Sequence, residues 1–296
     1  MACRWSFCLL CLALPAPATA QPSGVEPGES YHRIFVTSGT FGISSNGSFP
    51  PPFGDINGLT GADWHVTFAA FVGGLLSEWD GVATPYTAIL STSTVDANTR
   101  FPISGKIYNT QDEKIADDGA DFWDGSLDAA IRYDENGVAV SSSEVWSGST
   151  FLGSDSGSTA GDWTDSSSIG TYGDASSDLP IWIDFSFQSG SNTARLYGIS
   201  PAVTLPDSAD FNGDNLVDGV DFLTWQENLG TVGPTATHAK GDANGDDLID
   251  AADLAVWELQ YGSAPPVAAV GAVPEPSSLL LGLLAAGRCW LGRRRG

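Results

Sequence analysis

Two stretches of this chain superimpose at an offset of 32 residues, 209–230 (ADFNGDNLVDGVDFLTWQENLG) and 241–262 (GDANGDDLIDAADLAVWELQYG). Identities fall at Asp210/Asp242, Asn212/Asn244, Gly213/Gly245, Asp214/Asp246, Leu216/Leu248, Asp218/Asp250, Asp221/Asp253, Trp225/Trp257 and Gly230/Gly262. Oxygen-bearing side chains thus recur at positions 1, 3, 5, 9 and 12 of a loop, the spacing a calcium loop needs, with the carbonyl of Leu216 or Leu248 at position 7. Every candidate ligand is an oxygen and neither loop contains His or Cys, which favours calcium over zinc or copper. The expected ligands are Asp210, Asn212, Asp214, Leu216, Asp218 and Asp221 for one Ca2+ and Asp242, Asn244, Asp246, Leu248, Asp250 and Asp253 for a second. Each loop crowds four carboxylates together, so their repulsion should couple metal binding to folding.

Position 6, usually Gly, is Asn215 or Asp247, two residue types that tolerate the left-handed backbone better than most. A helix is expected after each loop, from Gly219 or Ala251, with Phe222, Trp225 and Leu229, or Leu254, Trp257 and Tyr261, along one face. No second helix precedes either loop as in an EF-hand, and position 12 is Asp rather than Glu. Two loop–helix units at this spacing, over 207–262, resemble the type I dockerin. The resemblance implies repeats paired about a pseudo-twofold axis and a cohesin-like protein partner. Such dockerins commonly carry a Ser-Thr pair just before the last ligand, where this chain has Gly219-Val220 and Ala251-Ala252. Either the partner surface is more apolar here or the module is structural.

The 296 residues include 36 acidic and 12 basic side chains, and between 21 and 272 seven basic side chains face 35 acidic ones. Such a surface repels phosphate backbones and attracts cations, which argues against a nucleic-acid partner. Only 16% of residues are charged against 42% hydrophobic, a balance that excludes a disordered acidic tail and a polytopic membrane protein. Residues 1–20 read as a signal peptide: Arg4, an apolar run from Phe7 to Leu14, and Ala18-Thr19-Ala20 as the signal peptidase site, with cleavage before Gln21. Cys3, Cys8 and Cys11 leave with it and Cys289 lies in the terminal tail, so the mature ectodomain takes its stability from packing or bound ions rather than disulfides.

At the other end, Pro274-Glu275-Pro276 opens an apolar stretch to Gly287, followed by Arg288 and the run Arg293, Arg294, Arg295. This three-part order, over 273–296, resembles the PEP-CTERM sorting signal, which implies exosortase as a partner during export and release or attachment at the cell envelope near extracellular polysaccharide. As a helix, Ser277–Gly287 would reach about 16 Å against a hydrocarbon core of about 30 Å. That suits transient membrane contact better than a permanent anchor, and a retained C-terminal anchor is the alternative. Residues 263–272 (SAPPVAAVGA) read as a linker, and 21–30 as a flexible lead-in.

Between them, 31–205 reads as one domain. Strands are expected at 33–38, 88–91, 181–187 and 195–199, and a helix at 60–73 capped by Thr60, with Trp64, Phe68, Phe71 and Val72 on its apolar face. Residues 141–180 read as long Ser/Gly loops around Trp146, Trp163 and Tyr172. The ordered blocks IFVTSGTFG, NGLTGADWHV, AILSTSTVDANTRF, KIADDGADFWDGSLDAAIRYDENG, VWSGS, GDWTD and ARLYGIS resemble a bacterial surface domain in the endostatin-like branch of the C-type-lectin fold. Relatives carry cysteines near the positions of His65, Gly161 and Gly198, where this chain has none. Carbohydrate is a candidate ligand, yet the Glu-Pro-Asn and Gln-Pro-Asp tripeptides of calcium-dependent lectins are absent from 31–205, and the Trp of Trp182-Ile183-Asp184 reads as core.

No catalytic residue is assigned: Asp117, Asp118, Asp121, Asp124 and Asp128 offer carboxylate pairs, as any acidic surface would, and His32, His65 and His238 have no nucleophile motif beside them. The expected fold class is α+β, a C-type-lectin-like domain followed by a small all-α dockerin-like module. The expected function is non-catalytic recognition or scaffolding by an exported calcium-binding protein. A dockerin-bearing polysaccharide hydrolase and a purely structural surface protein remain the alternatives.

Overall fold

The structure, a computed structural model, describes residues 21–44, 54–76, 85–141 and 143–263. The expected signal peptide, the linker beyond Ser263 and the sorting signal with Pro274, Glu275 and Pro276 lie outside the described residues. Helices and sheets are both present. In chain order they are β1 (Ser30–Val36), α1 (Gly58–Val72), β2 (Thr87–Ala88), α2 (Ala97–Arg100), β3 (Lys106–Tyr108), β4 (Lys114–Ala116), α3 (Gly119–Phe122), β5 (Glu144–Trp146), α4 (Ala160–Trp163), β6 (Ile169–Asp174), β7 (Ser186–Ser189), β8 (Tyr197–Ile199), β9 (Val203–Thr204), α5 (Gly219–Asn228) and α6 (Ala251–Gln260).

β1 organises the larger sheet. Its first half pairs in parallel with β3 and its second half antiparallel to β8; β4 extends the sheet beyond β3, β2 lies outside β8, and β9 returns to the start of β1. Both faces of β1 are covered, which is why its apolar residues do not alternate with exposed ones: Ile34 and Val36 enter one core with Ile107, Trp182 and Tyr197, while Phe35 enters another with Val66, Trp146 and Trp163. A second, antiparallel sheet runs β5-β6-β7, and a parallel bridge between Val145 and Arg195 ties it to the segment leading into β8.

Several local expectations are corrected by this packing. The segment 141–180 is not loop throughout: it contains β5 and β6, and Trp146 and Trp163 are fully buried, so neither can serve as a sugar platform. The alternation of 181–187 does not make a strand across its length. Pro180–Trp182 forms a 3-10 turn that drives Trp182 into the core, and the strand starts at Ser186, leaving Phe185 and Phe187 exposed. α1 starts at Gly58 rather than at Thr60: Asn57 holds the cap position without a side-chain cap bond, and the chain enters the helix through a left-handed Gly58 (φ +68°) that glycine takes without strain. Phe71 and Val72, expected on the packed face, emerge at the end of that helix, and the burial is supplied by Trp64, Val66 and Ala70. The strand expected at 88–91 is the short β2.

Two of the positions where the lectin-like resemblance implies cysteine are filled by packing. His65 stacks against Phe41 with ring centres 4.2 Å apart, and a Cβ on Gly198 would come within 2.9 Å of Phe35 and Val66. The third, Gly161, belongs to α4, a turn in which Ala160, Gly161, Asp162 and Trp163 all take positive φ. A left-handed turn costs about 1–2 kcal/mol per non-glycine residue. Its offset is visible: Trp163 is fully buried and donates from Nε1 to the Ser91 carbonyl at 2.7 Å. Asp162 accepts from the Ser93 amide at 2.7 Å and from its hydroxyl at 2.8 Å.

The Ser93 amide holds the Asp162 carboxyl below the usual carboxylate range. A depressed carboxylate stabilises the fold above its unfolded value near pH 3.9, and that contribution is lost as pH falls through the depressed value. Asp162→Ala is therefore expected to lower the stability of the β-rich part by about 1–3 kcal/mol at pH 7, with the difference from the parent shrinking below about pH 4. Urea denaturation of both proteins across that pH range checks it; a difference independent of pH would place the role of Asp162 elsewhere.

Candidate metal centre

Beyond β9 the chain enters the first loop, and the repeated sequence produces repeated geometry. Asp210 reaches across its loop, Oδ1 accepting from Gly213 N at 2.9 Å and Oδ2 from Asn215 N at 2.8 Å; Asp242 does the same with Gly245 N at 2.8 Å and Asp247 N at 3.0 Å. These bonds require the chain to reverse at position 6, and Asn215 (φ 68°) and Asp247 (φ 61°) are both left-handed there. Asn212 and Asn244 accept from the amides of Asp214 and Asp246, whose own Oδ1 atoms accept from Leu216 N and Leu248 N at 2.9 and 3.0 Å.

The far end of each loop is closed by its last aspartate. Asp221 accepts from Phe211 N at 2.9 Å and from Asp218 N at 2.9 Å; Asp253 accepts from Ala243 N and Asp250 N, both at 2.8 Å. Asp218 and Asp250 are the N-caps of α5 and α6, each accepting from the second residue of its helix, so loop end and helix start form a reciprocal capping box. Asp210, Asp221, Asp242 and Asp253 are buried, whereas Asp214 and Asp246 are exposed. The donor set at each site is carboxylate, amide oxygen and backbone carbonyl, which suits a hard cation and offers nothing softer.

The two units embrace each other. Trp225 of α5 donates from Nε1 to the carbonyl of Asp250 at 2.7 Å, and Trp257 of α6 donates to the carbonyl of Asp218 at 2.8 Å. Gly230 N bonds Ile249 O and Gly262 N bonds Val217 O, both at 2.9 Å. All four partners are related by the same offset of 32, so the pair has pseudo-twofold symmetry with Val217, Trp225, Ala243 and Ile249 in its core. The repeated Trp was the signal for this exchange, although spacing along one helix does not say that its indole reaches the other unit's cap. Leu229 and Tyr261, expected on the packed faces, are exposed because each helix ends one residue before them.

Elsewhere, the acidic run of the β-rich part brings Asp117, Asp121 and Asp128 within 4.8 Å of one another, the one such carboxylate trio among the described residues. Lys114 offsets one of its three charges, at 2.5 Å from Asp117 and 3.0 Å from Asp128. All three histidines are engaged by neighbours. His32 has Nδ1 2.9 Å from Ser200 O and Nε2 3.1 Å from Ser104 N, His65 is stacked on Phe41, and His238 has Nε2 3.0 Å from Ser208 O. Burial pushes each of them below the ordinary histidine value.

In the second loop, burial raises the carboxyls of Asp242 and Asp253 above the usual range, against the opposing pull of their backbone N–H donors. A raised carboxyl contributes stability below its unfolded value near pH 3.9 that is lost as pH rises through the raised value. The calcium-free helical pair is therefore expected to melt lower at pH 7 than at about pH 4, and the order to invert with calcium, which requires ionised ligands; thermal melts with chelator and with calcium at both pH values check this. Asp214→Ala combined with Asp246→Ala is expected to remove both calcium sites and unfold residues 207–262 while the β-rich part stays folded. Calorimetric titration and circular dichroism read both effects; helicity regained on adding calcium would overturn the ligand assignment.

Among the described residues no helix is long and apolar enough to cross a membrane. No curated protein matches the chain. The family model of the Dockerin type I domain matches residues 208–257, from the start of the first loop to Trp257 in α6. Domains of this family typically bind calcium and cohesin partners and occur in extracellular or cell-surface proteins. The paired loops and helices described above are thus the type I dockerin domain of this chain.

Proposed function

We propose that this protein is exported to the cell envelope, where its dockerin domain binds two calcium ions through the twelve loop residues named above and docks a cohesin-type partner. The carrying observation is an apolar stripe at the start of α5: Val220 is 53% exposed and Leu223 54%, with Leu216 of the first loop also in solvent. Val220 stands where a Ser-Thr pair would otherwise supply polar contacts, so the partner surface is apolar. The symmetry-related positions on α6, Ala252 and Ala255, are also exposed but smaller, and α5 is therefore the stronger docking face. Calcium sets this face in place, because Asp218 and Asp221 both belong to the loop and define the first turn of α5.

The remaining organisation follows the same reading: a signal peptide at 1–20, a C-type-lectin-like domain at 31–205, the dockerin module at 207–262, a linker at 263–272 and a PEP-CTERM signal at 273–296 handled by exosortase. Support for the lectin-like domain comes from the pairing of β1 with β8 and β9, which joins its two ends, and from α1 packed against that sheet. We read this domain as a non-catalytic scaffold or recognition unit, and exposed Phe185 and Phe187 on and beside β7 keep carbohydrate as its candidate ligand.

The test is retention of the full chain on immobilised type I cohesin modules. Retention is expected with calcium and lost with chelator, and Val220→Asp with Leu223→Asp should reduce it at least tenfold while calorimetry still finds two calcium ions. Retention unaffected by chelator or by the paired substitution would overturn the docking face.

A further inference from the structure

Residues 21–29, expected to be a flexible lead-in, are built into the molecule. Val25 is buried with Tyr31, Tyr108 and Leu205. Lys106 Nζ grips both carboxylate oxygens of Glu29, at 2.9 and 3.0 Å, and the Gly24 carbonyl at 2.9 Å. The segment is turned on itself, Glu29 N donating to Glu26 O and Glu26 N to Glu29 Oε2, and Leu205 N donates to Glu29 O. One side of the lead-in is thereby fixed to the β-rich part.

Its other side meets the second calcium loop. Glu26 Oε2 accepts from His238 N at 2.5 Å. A Cβ on Gly28 (φ +80°) would lie 2.1 Å from the backbone of Asn244, and one on Gly245 would lie 2.7 Å from Glu29 N, so both glycines mark backbone-to-backbone contact. The pseudo-symmetry makes the comparison internal. Gly213, the counterpart of Gly245 in the first loop, has nothing within 4 Å of its Cβ position.

We propose that the second calcium loop has an intramolecular partner: residues 24–29 form a clasp that closes on Asn244 and Gly245 when this loop holds its cation, and the first loop is left free for an external partner. The proposal rests on the calcium reading of the loops. Asn244 is a predicted ligand and Gly245 follows it, so the surface that the clasp meets exists only when the loop is ordered. Charge adds a second reason. A cleft of about 640 Å³ separates the two parts, with Glu26, Glu29, Asp117 and Asp118 on one side, Asp242 and Asp247 on the other, and Lys106 the only cation lining it among the described residues. Calcium-free, the two acidic walls repel; a divalent ion in the second loop offsets that repulsion and favours closure. By linkage, closure in turn raises the calcium affinity of the second loop over that of the first.

Hydrogen exchange on the full chain tests this, read at peptides covering 22–30 and at both loops with and without calcium. Calcium is expected to slow exchange at 22–30 in the parent and in Asp214→Ala, and not in Asp246→Ala. Gly28→Val should weaken calcium at the second loop by about tenfold, within the range usual for coupled sites, and the first loop less; the milder Glu26→Ala should act in the same direction. Protection of 22–30 that is independent of calcium, or lost equally in Asp214→Ala and Asp246→Ala, would overturn the clasp with the calcium sites intact. An absence of any calcium effect at either loop would instead overturn the calcium reading on which the clasp rests.

Discussion

A buried aspartate stands at the end of each loop, and the helical module depends on what surrounds it. Asp221 and Asp253 are fully withdrawn from solvent, and each joins the first residues of its loop to the cap of the following helix through backbone N–H groups. Two or three amide donors lessen the cost of a buried carboxylate, but three further carboxylates share the first loop and four the second, and amides carry no net charge to balance them. The calcium ion proposed for each loop supplies that charge. With it, loop closure, helix capping and burial of the anion become one event, which is why a helix of only ten residues can be stable at this site.

That event is shared between the repeats. Each tryptophan indole donates to the cap carbonyl of the opposite helix, so ordering one loop places an acceptor for the other unit's side chain. The two halves share their ligand spacing and loop geometry, and differ where the rest of the chain touches them and in the residues exposed on their helices. Gly213 faces open space while Gly245 lies against residues 27–29; Val220 and Leu223 are larger than Ala252 and Ala255. The duplicated loops thus present one open face and one occupied from within.

The β-rich part solves a different problem, that of ordering long connections without disulfides. It does so with buried aromatics whose polar atoms are satisfied by backbone: Trp146 Nε1 reaches Phe41 O, Trp163 Nε1 reaches Ser91 O, and the Tyr197 hydroxyl reaches Trp182 O. Each bond pins a distant connection to the core. The left-handed turn at 160–163 is tolerable for this reason, since the burial of one indole and the Asp162–Ser93 bonds act on the same four residues. His65 stacks on Phe41, and Gly198 leaves just enough room for the Phe35 and Val66 side chains, so both positions are closed by packing.

The two loop–helix units were legible in the sequence because their geometry is local. Ligand spacing, the left-handed residue at position 6 and the helix starting at position 10 are all decided within twelve residues, and so Asn215, Asp247, Gly219 and Ala251 stand in the structure where their pattern puts them. The periodicity of 181–187 and the loop-like composition of 141–180 misled because strand or turn there is settled by which face another segment covers, as when Trp182 is drawn beneath Tyr197. The lead-in shows the same limit most plainly: its Pro, Gly and Glu composition is that of a flexible segment, yet Glu26 bonds His238 across 212 positions of sequence. By itself the sequence determined the course of each loop and the start of the helix after it, since those are matters of short-range spacing. Which loop is free, which aromatic is buried and where the lead-in lies were decided by the tertiary structure, because each depends on contacts between segments whose distance along the chain leaves no periodic trace.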